Sequence, residues 1–484
     1  MQYVPLLCII MPVFSAALLV ICSCKKEIFR KIIANGGCLI TFAAVVSMTW
    51  GLKSGGRLGG EISHLASPLI FSFSADLLSY FFALIFSFIF LVVMIYSWGY
   101  MKQSHAQIRY FSLLLILEST MLGVVLSSSL VGLFVFFEAM TIAAYLLIIH
   151  EEDEMAMFAG AKFLFMTIVA GLAIFFGLVV LQHLAGRLDF LPGGYIEPSS
   201  LAMYGLLAFF LGFGIKAGMF PVHIWLPDAH PTAPAPVSAI LSGCSIKLGA
   251  YGMIRIIYDV FGVETVRALS FDRLLMMLAV ATILIGSALA LQQDHLKRRL
   301  AYSSVTQIGY IILGISLLNS YALFGALFHI FTHAIMKSGL FLCAGAIITQ
   351  TGKKYISQLS GIGYQMPVVM LSFTVFAMTI VGLPPFIAFT SKWHLAAGAL
   401  DSGMPILVFL LILSSMLNAL YYFPIAIRAF LGPSVISSRN LVMDELPRGM
   451  LWTTALLAVL CVVFAFIQPN WPVIMAGRIA ASIF

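Results

Sequence analysis

Seven ionisable side chains stand inside runs of apolar residues: Glu138, Lys216, Lys247, His329, His333, Lys337 and Lys392. A charge at mid-depth in a bilayer is costly, so such groups are usually paired or line a wet path. Glu138 lies in LFVFFEAMTIAAYLLI and Lys216 in FGIKAG. Alone, a buried carboxylate and a buried lysine are each driven towards neutrality. Together each restores the other's charge. The pair then has two states close in energy, ionic and neutral, which a neighbouring charge or proton can switch. The plainer alternative is a static ion pair that fixes helix packing.

Lys247, in SGCSIKLGAYG, is too deep to reach an interface. His329, His333 and Lys337 follow in LFHIFTHAIMKSGLF at i, i+4 and i+8. Each step of four advances about 40° around a helix, so the three form one stripe. Histidine titrates near neutrality, and such a stripe can relay protons through water. Core histidines satisfied by carbonyls are the alternative. Metal binding by the histidine pair lacks a carboxylate or Cys to complete it. Lys392, in PPFIAFTSKWHL with His394 nearby, ends a series that reads as a lateral polar axis at mid-membrane.

Other polar residues read differently. Glu118, in LILESTMLG, is a second membrane carboxylate; it pairs with a neighbouring helix or faces a protein partner. Asp76 is placed to cap a helix. His223, Asp228 and His230 in HIWLPDAH resemble metal ligands only superficially, and the surrounding prolines predict an irregular linker. Asp294 to Ser304 reads as a basic turn. Seven cysteines, at positions 8, 22, 24, 38, 244, 343 and 461, have no zinc or iron–sulfur spacing and read as core-filling thiols.

The elements that must position these residues are membrane helices. The 484 residues are 62% hydrophobic and 9% charged, with a mean hydropathy of +1.06. Soluble domains are about 25% charged. About 20 apolar residues cross a bilayer. On that rule the sequence predicts an all-α polytopic membrane protein of fourteen spans, near 4–22, 33–51, 76–99, 110–128, 130–149, 157–182, 203–226, 235–258, 274–291, 302–318, 321–348, 367–396, 404–427 and 450–468. No charged segment precedes the first run, which therefore reads as a span rather than a signal peptide. After the fourteenth span the chain is expected simply to end.

Gly and Pro interrupt the seventh span beside Lys216 and the twelfth before Lys392. Spans 4–8 and 9–13 are two five-helix blocks, and an odd number of spans inverts the second. Both breaks then fall in the fourth helix of a block, which points to a transporter site. The implied segments are 1–109, 110–258, 259–430 and 431–484.

The net charge of +7 sits in short loops and sets topology rather than binding nucleic acid. Lys25, Lys26, Arg30, Lys31, Lys102, Arg109, Lys297, Arg298, Arg299, Lys353, Lys354, Arg428, Arg439 and Arg448 fall on one side. Lys53, Arg57, Arg187, Arg267 and Arg273 fall on the other. The richer side is cytoplasmic, and both termini are then outside. No inserted soluble domain and no nucleotide-binding motif are found.

The segments FGIKAGMFPVHIWLPDAHPTAPAPVSAILSGCSIKLGAYG, DHLKRRLAYSSVTQIGY, LFHIFTHAIMKSGLFLCAG and GLPPFIAFTSKW resemble the antiporter-like, proton-conducting subunits of respiratory complex I and its relatives. The resemblance covers most of the chain, most strongly from Ala208 to Lys392. It implies fourteen helices with two inverted five-helix repeats and broken helices 7 and 12. It aligns Glu138 and Lys216 with the family's paired groups, Lys247 with its central lysine, and His329, His333 and Lys337 with its relay. Lys392 matches a position where some members carry glutamate, and Glu118 is outside the common pattern. The resemblance further implies a bacterial or archaeal cytoplasmic membrane and a multi-subunit complex whose peripheral arm does the redox chemistry. This chain would then be a non-redox subunit holding no cofactor or metal and moving H+ or Na+. Membrane-bound hydrogenases, formate hydrogenlyases and multi-subunit Na+/H+ antiporters share these features. A transport-inactive scaffold is the rival from another class.

Overall fold

The computed structural model describes residues 2–22, 26–52, 58–61, 72–432, 446–467 and 470–484. Lys25, Lys53, Arg57 and Arg439, used above to orient the chain, and Cys24 lie outside the described residues. The chain opens with α1 (Val4–Ile21) and α2 (Glu27–Leu52), then a short antiparallel hairpin, β1 (Leu58–Glu61) with β2 (Ser72–Ala75). Next come α3 (Leu77–Tyr100), α4 (Gln107–Leu126), α5 (Leu130–Ile148), α6 (Glu154–Ala185) and α7 (Ser200–Ala217). A short α8 (Leu226–Thr232) precedes a long helix at 235–261. That helix is built of α9 (Ala235–Ile240), a π-helical segment (Leu241–Ser245), α10 (Ile246–Ile254) and a second π-helical segment (Arg255–Phe261).

The second half begins with a short α11 (Val263–Ala268), then α12 (Phe271–Gln292), α13 (Leu296–Ser316) and α14 (Ser320–Thr351). A single-turn α15 (Ile362–Gln365) leads to α16 (Pro367–Val381) and α17 (Ile387–Asp401), followed by α18 (Pro405–Leu431), α19 (Arg448–Phe466) and α20 (Trp471–Ile483).

Helix starts follow side chains that accept a free amide of the first turn. Asp76, Ser129, Asp153, Ser199, Asn319 and Asn470 all do so. Twelve of the described helices are long and apolar enough to cross a membrane. Two expected spans fall outside that set for physical reasons. The tenth, α13, opens on Lys297, Arg298 and Arg299 and carries a polar face. The twelfth is split into α16 and α17, of 15 residues each.

Burial sorts the helices. The 235–261 helix and the central part of α14 are wholly inside the bundle, whereas the apolar stretches of α1, α2, α12, α18 and α19 are only 33–39% buried. The outer helices present apolar ridges, such as Phe409, Ile412, Met416 and Leu420 on α18. In lipid such ridges are solvated, and the polar groups belong on the two central helices. α14 has 32 residues, about 48 Å of helix, and so reaches beyond a hydrocarbon core of about 30 Å.

Three expectations are corrected. The expected irregular linker is present at 219–225, but residues 226–232 form a helix, because Pro227 stands in its first turn, where the missing N–H costs nothing. The expected basic turn at 294–304 is mostly the start of α13. His295 caps it through Nδ1, which accepts from Arg298 N–H at 3.4 Å. Burial, then the cations of Lys297, Lys354 and Arg298, push the His295 imidazole down to about 4, which keeps that acceptor neutral. Lastly, the chain does not simply end after α19. α20 follows, its 13 residues too few to be read as a span.

Candidate functional site

The two broken helices create the site. α7 stops at Gly218, whose φ of +73° suits glycine. A helix end inside a membrane leaves carbonyls that need partners. Trp225 Nε1 takes Ile215 O at 2.8 Å, and Gly218 N–H takes Gly214 O and Ile215 O. Lys216 sits in that last turn, where the helix dipole favours a cation. It is 3% exposed and donates to Glu138 Oε1 on α5 at 3.3 Å and to Thr141 Oγ1. The Phe137 ring lies 5.4 Å away.

The second break is built differently. α16 ends at Gly382, and its freed carbonyls, Ile380 O and Val381 O, accept from Lys392 Nζ at 3.0 and 2.8 Å. Ser415 Oγ on α18 adds a third acceptor at 2.9 Å, and the Tyr310 ring lies at 5.0 Å. Lys216 therefore precedes its break and has a carboxylate. Lys392 follows its break and is held by helix-end carbonyls and a hydroxyl.

Between them lie the central helices. Lys247 on α10 is fully buried and donates to Ser242 O in the first π-helical segment. Such widened turns alter the carbonyl ladder and recur at functional sites. Ser242 Oγ meets Ser304 Oγ of α13 at 2.7 Å. Lys337 of α14 donates to Leu300 O (2.8 Å), Ser303 Oγ (2.7 Å) and Tyr422 OH (3.0 Å). His329 bridges Gln307 Oε1 (3.0 Å) and Ser391 Oγ (2.9 Å). The His333 ring stacks on His329 at 5.9 Å, and neither of its nitrogens has a protein partner. Tyr310 OH donates to Ser414 Oγ at 2.6 Å.

The structure thus brings Glu138 to Lys216, sets the His329–His333–Lys337 stripe along α14, and joins α14 to Lys392 through Ser391, the residue before it. Among the described hydrogen bonds none links Lys216 to Lys247. Sequence reasoning missed the connecting groups: Thr141 on α5; Ser303, Ser304, Gln307 and Tyr310 on α13; Ser415 and Tyr422 on α18. A signal existed on α13, where Ser303, Gln307 and Tyr310 recur at i, i+4 and i+7 in a membrane-length segment that also carries Ser304 and Thr306.

The remaining polar residues lie apart. Glu118 is fully buried, with Cys38 Sγ donating to Oε2 at 3.0 Å and Oε1 unpartnered. It faces α2 and is not joined to the axis by any described hydrogen bond. Asp228 on α8 bridges Lys162 of α6 (2.6 Å) and Arg298 of α13 (2.8 Å), docking the short helix. His230 is fully buried and stacks on Phe341 at 4.5 Å. Among the described residues no group of three or more His, Cys, Asp and Glu could hold a metal ion.

Residues 127–418 match the family described as NADH:quinone oxidoreductase/Mrp antiporter, TM. Residues 65–111 match NADH-Ubiquinone oxidoreductase (complex I), chain 5 N-terminus. The chain is 36% identical over 348 residues to NADH-quinone oxidoreductase subunit N of Desulforudis audaxviator (strain MP104C), covering 70% of this chain and 69% of that one. It is 30% identical over 440 residues to hydrogenase-4 component B of Escherichia coli (strain K12), covering 85% of this chain and 65% of that one. The chain therefore spans about two thirds of the length of these relatives. Its fold matches a chain in the structure of the Mrp complex from Dietzia sp. DQ12-45-1b, with a TM-score of 0.88 at 21% identity, covering 99% and 97% of the two chains.

Proposed function

Because this chain belongs to the NADH:quinone oxidoreductase/Mrp antiporter membrane family, we propose that it is a proton-translocating, antiporter-like subunit of a redox-driven pump of the complex I type. The run of buried hydrogen-bonding side chains from the Lys247–Ser242–Ser304 contact through Lys337 and His329 to Lys392 carries this reading. Lipid offers no reason to bury so many polar groups at once.

The proposed mechanism draws on this run and on His333 beside it. Protons load Lys247 from one side, pass along His333 and His329, and reach Lys392, from which they leave on the other. Water beside the unpartnered His333 ring supplies the link between the two halves. The Glu138–Lys216 pair gates loading. When it opens, Lys216 becomes an uncompensated cation on the helix that packs against that of Lys247, where Gly249 meets Ala217, and repulsion drives the proton onward. H+ is the transported ion in this reading, with Na+ the alternative.

The proposed organisation has fourteen crossings: α1 to α7, the 235–261 helix, α12, α13, α14, α16 with α17, α18, and α19. Residues 110–258 and 259–430 are the two inverted five-helix blocks, flanked by 1–109 and 431–484. The broken helices then hold corresponding places. The chain would hold no redox cofactor, which a peripheral arm of the complex would carry. Glu138 is the pointer to a neighbouring membrane subunit. Its side chain is 33% exposed on a membrane helix, and a carboxylate there needs a protein surface rather than lipid.

Both termini are proposed to lie outside a bacterial or archaeal cytoplasmic membrane. The exposed Cys22 at the end of α1 tests this. In a Cys24→Ser background, a membrane-impermeant maleimide should label Cys22 only from the cytoplasmic face. The buried Cys8, Cys38, Cys244, Cys343 and Cys461 should stay unlabelled until the protein is denatured. Labelling of Cys22 from outside would invert the topology.

A second reading, a membrane subunit of an energy-converting hydrogenase, is favoured by the 85% of this chain that aligns with hydrogenase-4 component B. Purifying the native complex in mild detergent and identifying its subunits by mass spectrometry separates the two. Flavin and NADH-binding partners support the complex I type. A hydrogenase large subunit with iron–sulfur partners supports the second reading. A chain that purifies alone sinks both.

A further inference from the structure

The 235–261 helix carries a second polar stripe. Lys247, Tyr251, Arg255 and Asp259 recur at every fourth residue, so the stripe climbs from the buried lysine to the end of the helix proposed to face outward. Arg255 is 4% exposed. Its guanidinium donates to Asp259 Oδ2 (2.6 Å), Asp76 Oδ1 (2.8 Å), Ser79 Oγ (2.9 Å) and Tyr251 OH (3.0 Å), and lies 4.9 Å from the Phe190 ring. The Tyr251 hydroxyl in turn donates sideways to Val125 O on α4 at 2.9 Å. A cavity of about 290 Å³ lies against the cluster, lined by Asp76, Arg255, Asp259, Pro192, Ile479 and Ser482. With three charged side chains in its wall, the cavity is roomy enough to admit water. Inward of Tyr251 the helix is wholly buried.

We propose that Arg255 is a proton barrier that closes the outward side of Lys247, so that this lysine exchanges protons only with the opposite side and with the lateral axis. The inference rests on the proton-translocation reading above. Two physical features support it. A proton wire needs groups that both accept and donate, and guanidinium only donates and does not lose its proton. Tyr251, the one hydroxyl between Arg255 and Lys247 along the stripe, receives from the arginine, donates to the Val125 carbonyl on α4 and meets Ser79 Oγ on α3 at 3.4 Å, so none of its described hydrogen bonds goes to Lys247. The arginine also stands on the stripe between the Asp259 carboxylate and Lys247, two helical steps of four residues from the lysine, as in pores that use an arginine to exclude protons.

The neighbouring backbone reinforces the closure. The second π-helical segment starts at Arg255, and the loop between α6 and α7 binds its last carbonyls. Leu191, Gly193 and Tyr195 N–H donate to Asp259, Tyr258 and Val260 O at 3.0, 3.0 and 2.9 Å.

The test is passive proton leak in vesicles containing the whole complex, driven by a potassium diffusion potential with no electron donor. Removing the arginine alone strands two carboxylates, so the balanced variant Arg255→Gln with Asp259→Asn is used. Its leak should rise roughly tenfold over wild type, and adding Lys247→Met should abolish the increase. A tight variant overturns the proposal. So does a leak that persists with Lys247→Met, since damaged packing would leak without the lysine. Thiol access gives a second measurement in an otherwise intact chain, with Cys22 and Cys24 changed to Ser. Ser482→Cys should react with an impermeant reagent from the outer side and Val125→Cys should not. Rapid reaction at Val125→Cys overturns the barrier. If Lys247→Met alone leaves redox-driven pumping unchanged, the translocation reading fails instead.

Discussion

Lys247→Met should stop redox-driven proton translocation while leaving the complex assembled. Lys247 is wholly buried at the centre of the bundle, and its described hydrogen bond is to the carbonyl of Ser242. Methionine has a similar length and flexibility, and replacing a buried charge with a well-packed apolar group is often neutral or stabilising. The substitution therefore removes the proton carrier without removing the packing. Loss of a group that accepts and returns a proton costs roughly 100-fold in rate or more. The measurement is acidification or alkalinisation of reconstituted vesicles on addition of electron donor, with electron transfer followed in parallel. Wild-type proton-to-electron ratios in the variant would remove Lys247 from the mechanism.

The second large effect falls on Glu138→Gln. The amide keeps the size of the side chain and an oxygen for Lys216, but not its charge. Lys216 would keep the Thr141 hydroxyl and the ring of Phe137 beside it. An intact buried pair loses several kcal/mol when one partner is removed. Glu138 is a third exposed in the isolated chain, so about 1–3 kcal/mol is the expected penalty. In the gating scheme that penalty acts as a permanently open pair, and pumping should fall roughly tenfold. The informative comparison is a cycle with Lys216→Met. If the two residues act as a pair, the double variant should be more stable than Glu138→Gln alone. Additive losses in stability and unchanged pumping would reduce the pair to a packing device, or to nothing.

The chemistry of lipid made much of this chain legible before any coordinates. Apolar runs of membrane length fix helices, because backbone groups have no other partner there. A Glu, His or Lys within such a run stands out because the surroundings make it expensive. That is why Glu138, Lys216, Lys247, His329, His333, Lys337 and Lys392 stand out in the sequence. Gly218 and Gly382 likewise mark the breaks, since a positive φ and the prolines nearby leave a helix nowhere to continue. Asp76 was legible as a cap because the partner amide, on Ser79, is three residues away.

What the tertiary structure decided was partnership across distance. Lys337 finds Tyr422 across 85 residues, and Arg255 finds Asp76 across 179. Periodicity cannot report such pairings, because it describes one helix at a time. The same one-helix view hid the polar face of α13 behind its basic start, and α20 behind its short length. It also made Lys216 and Lys392 look equivalent. Only the folded chain shows one answered by a carboxylate and the other by the open end of a broken helix. The sequence determined by itself which groups are too costly to leave unsatisfied in lipid. The packing of helices distant in sequence decided what satisfies each of them.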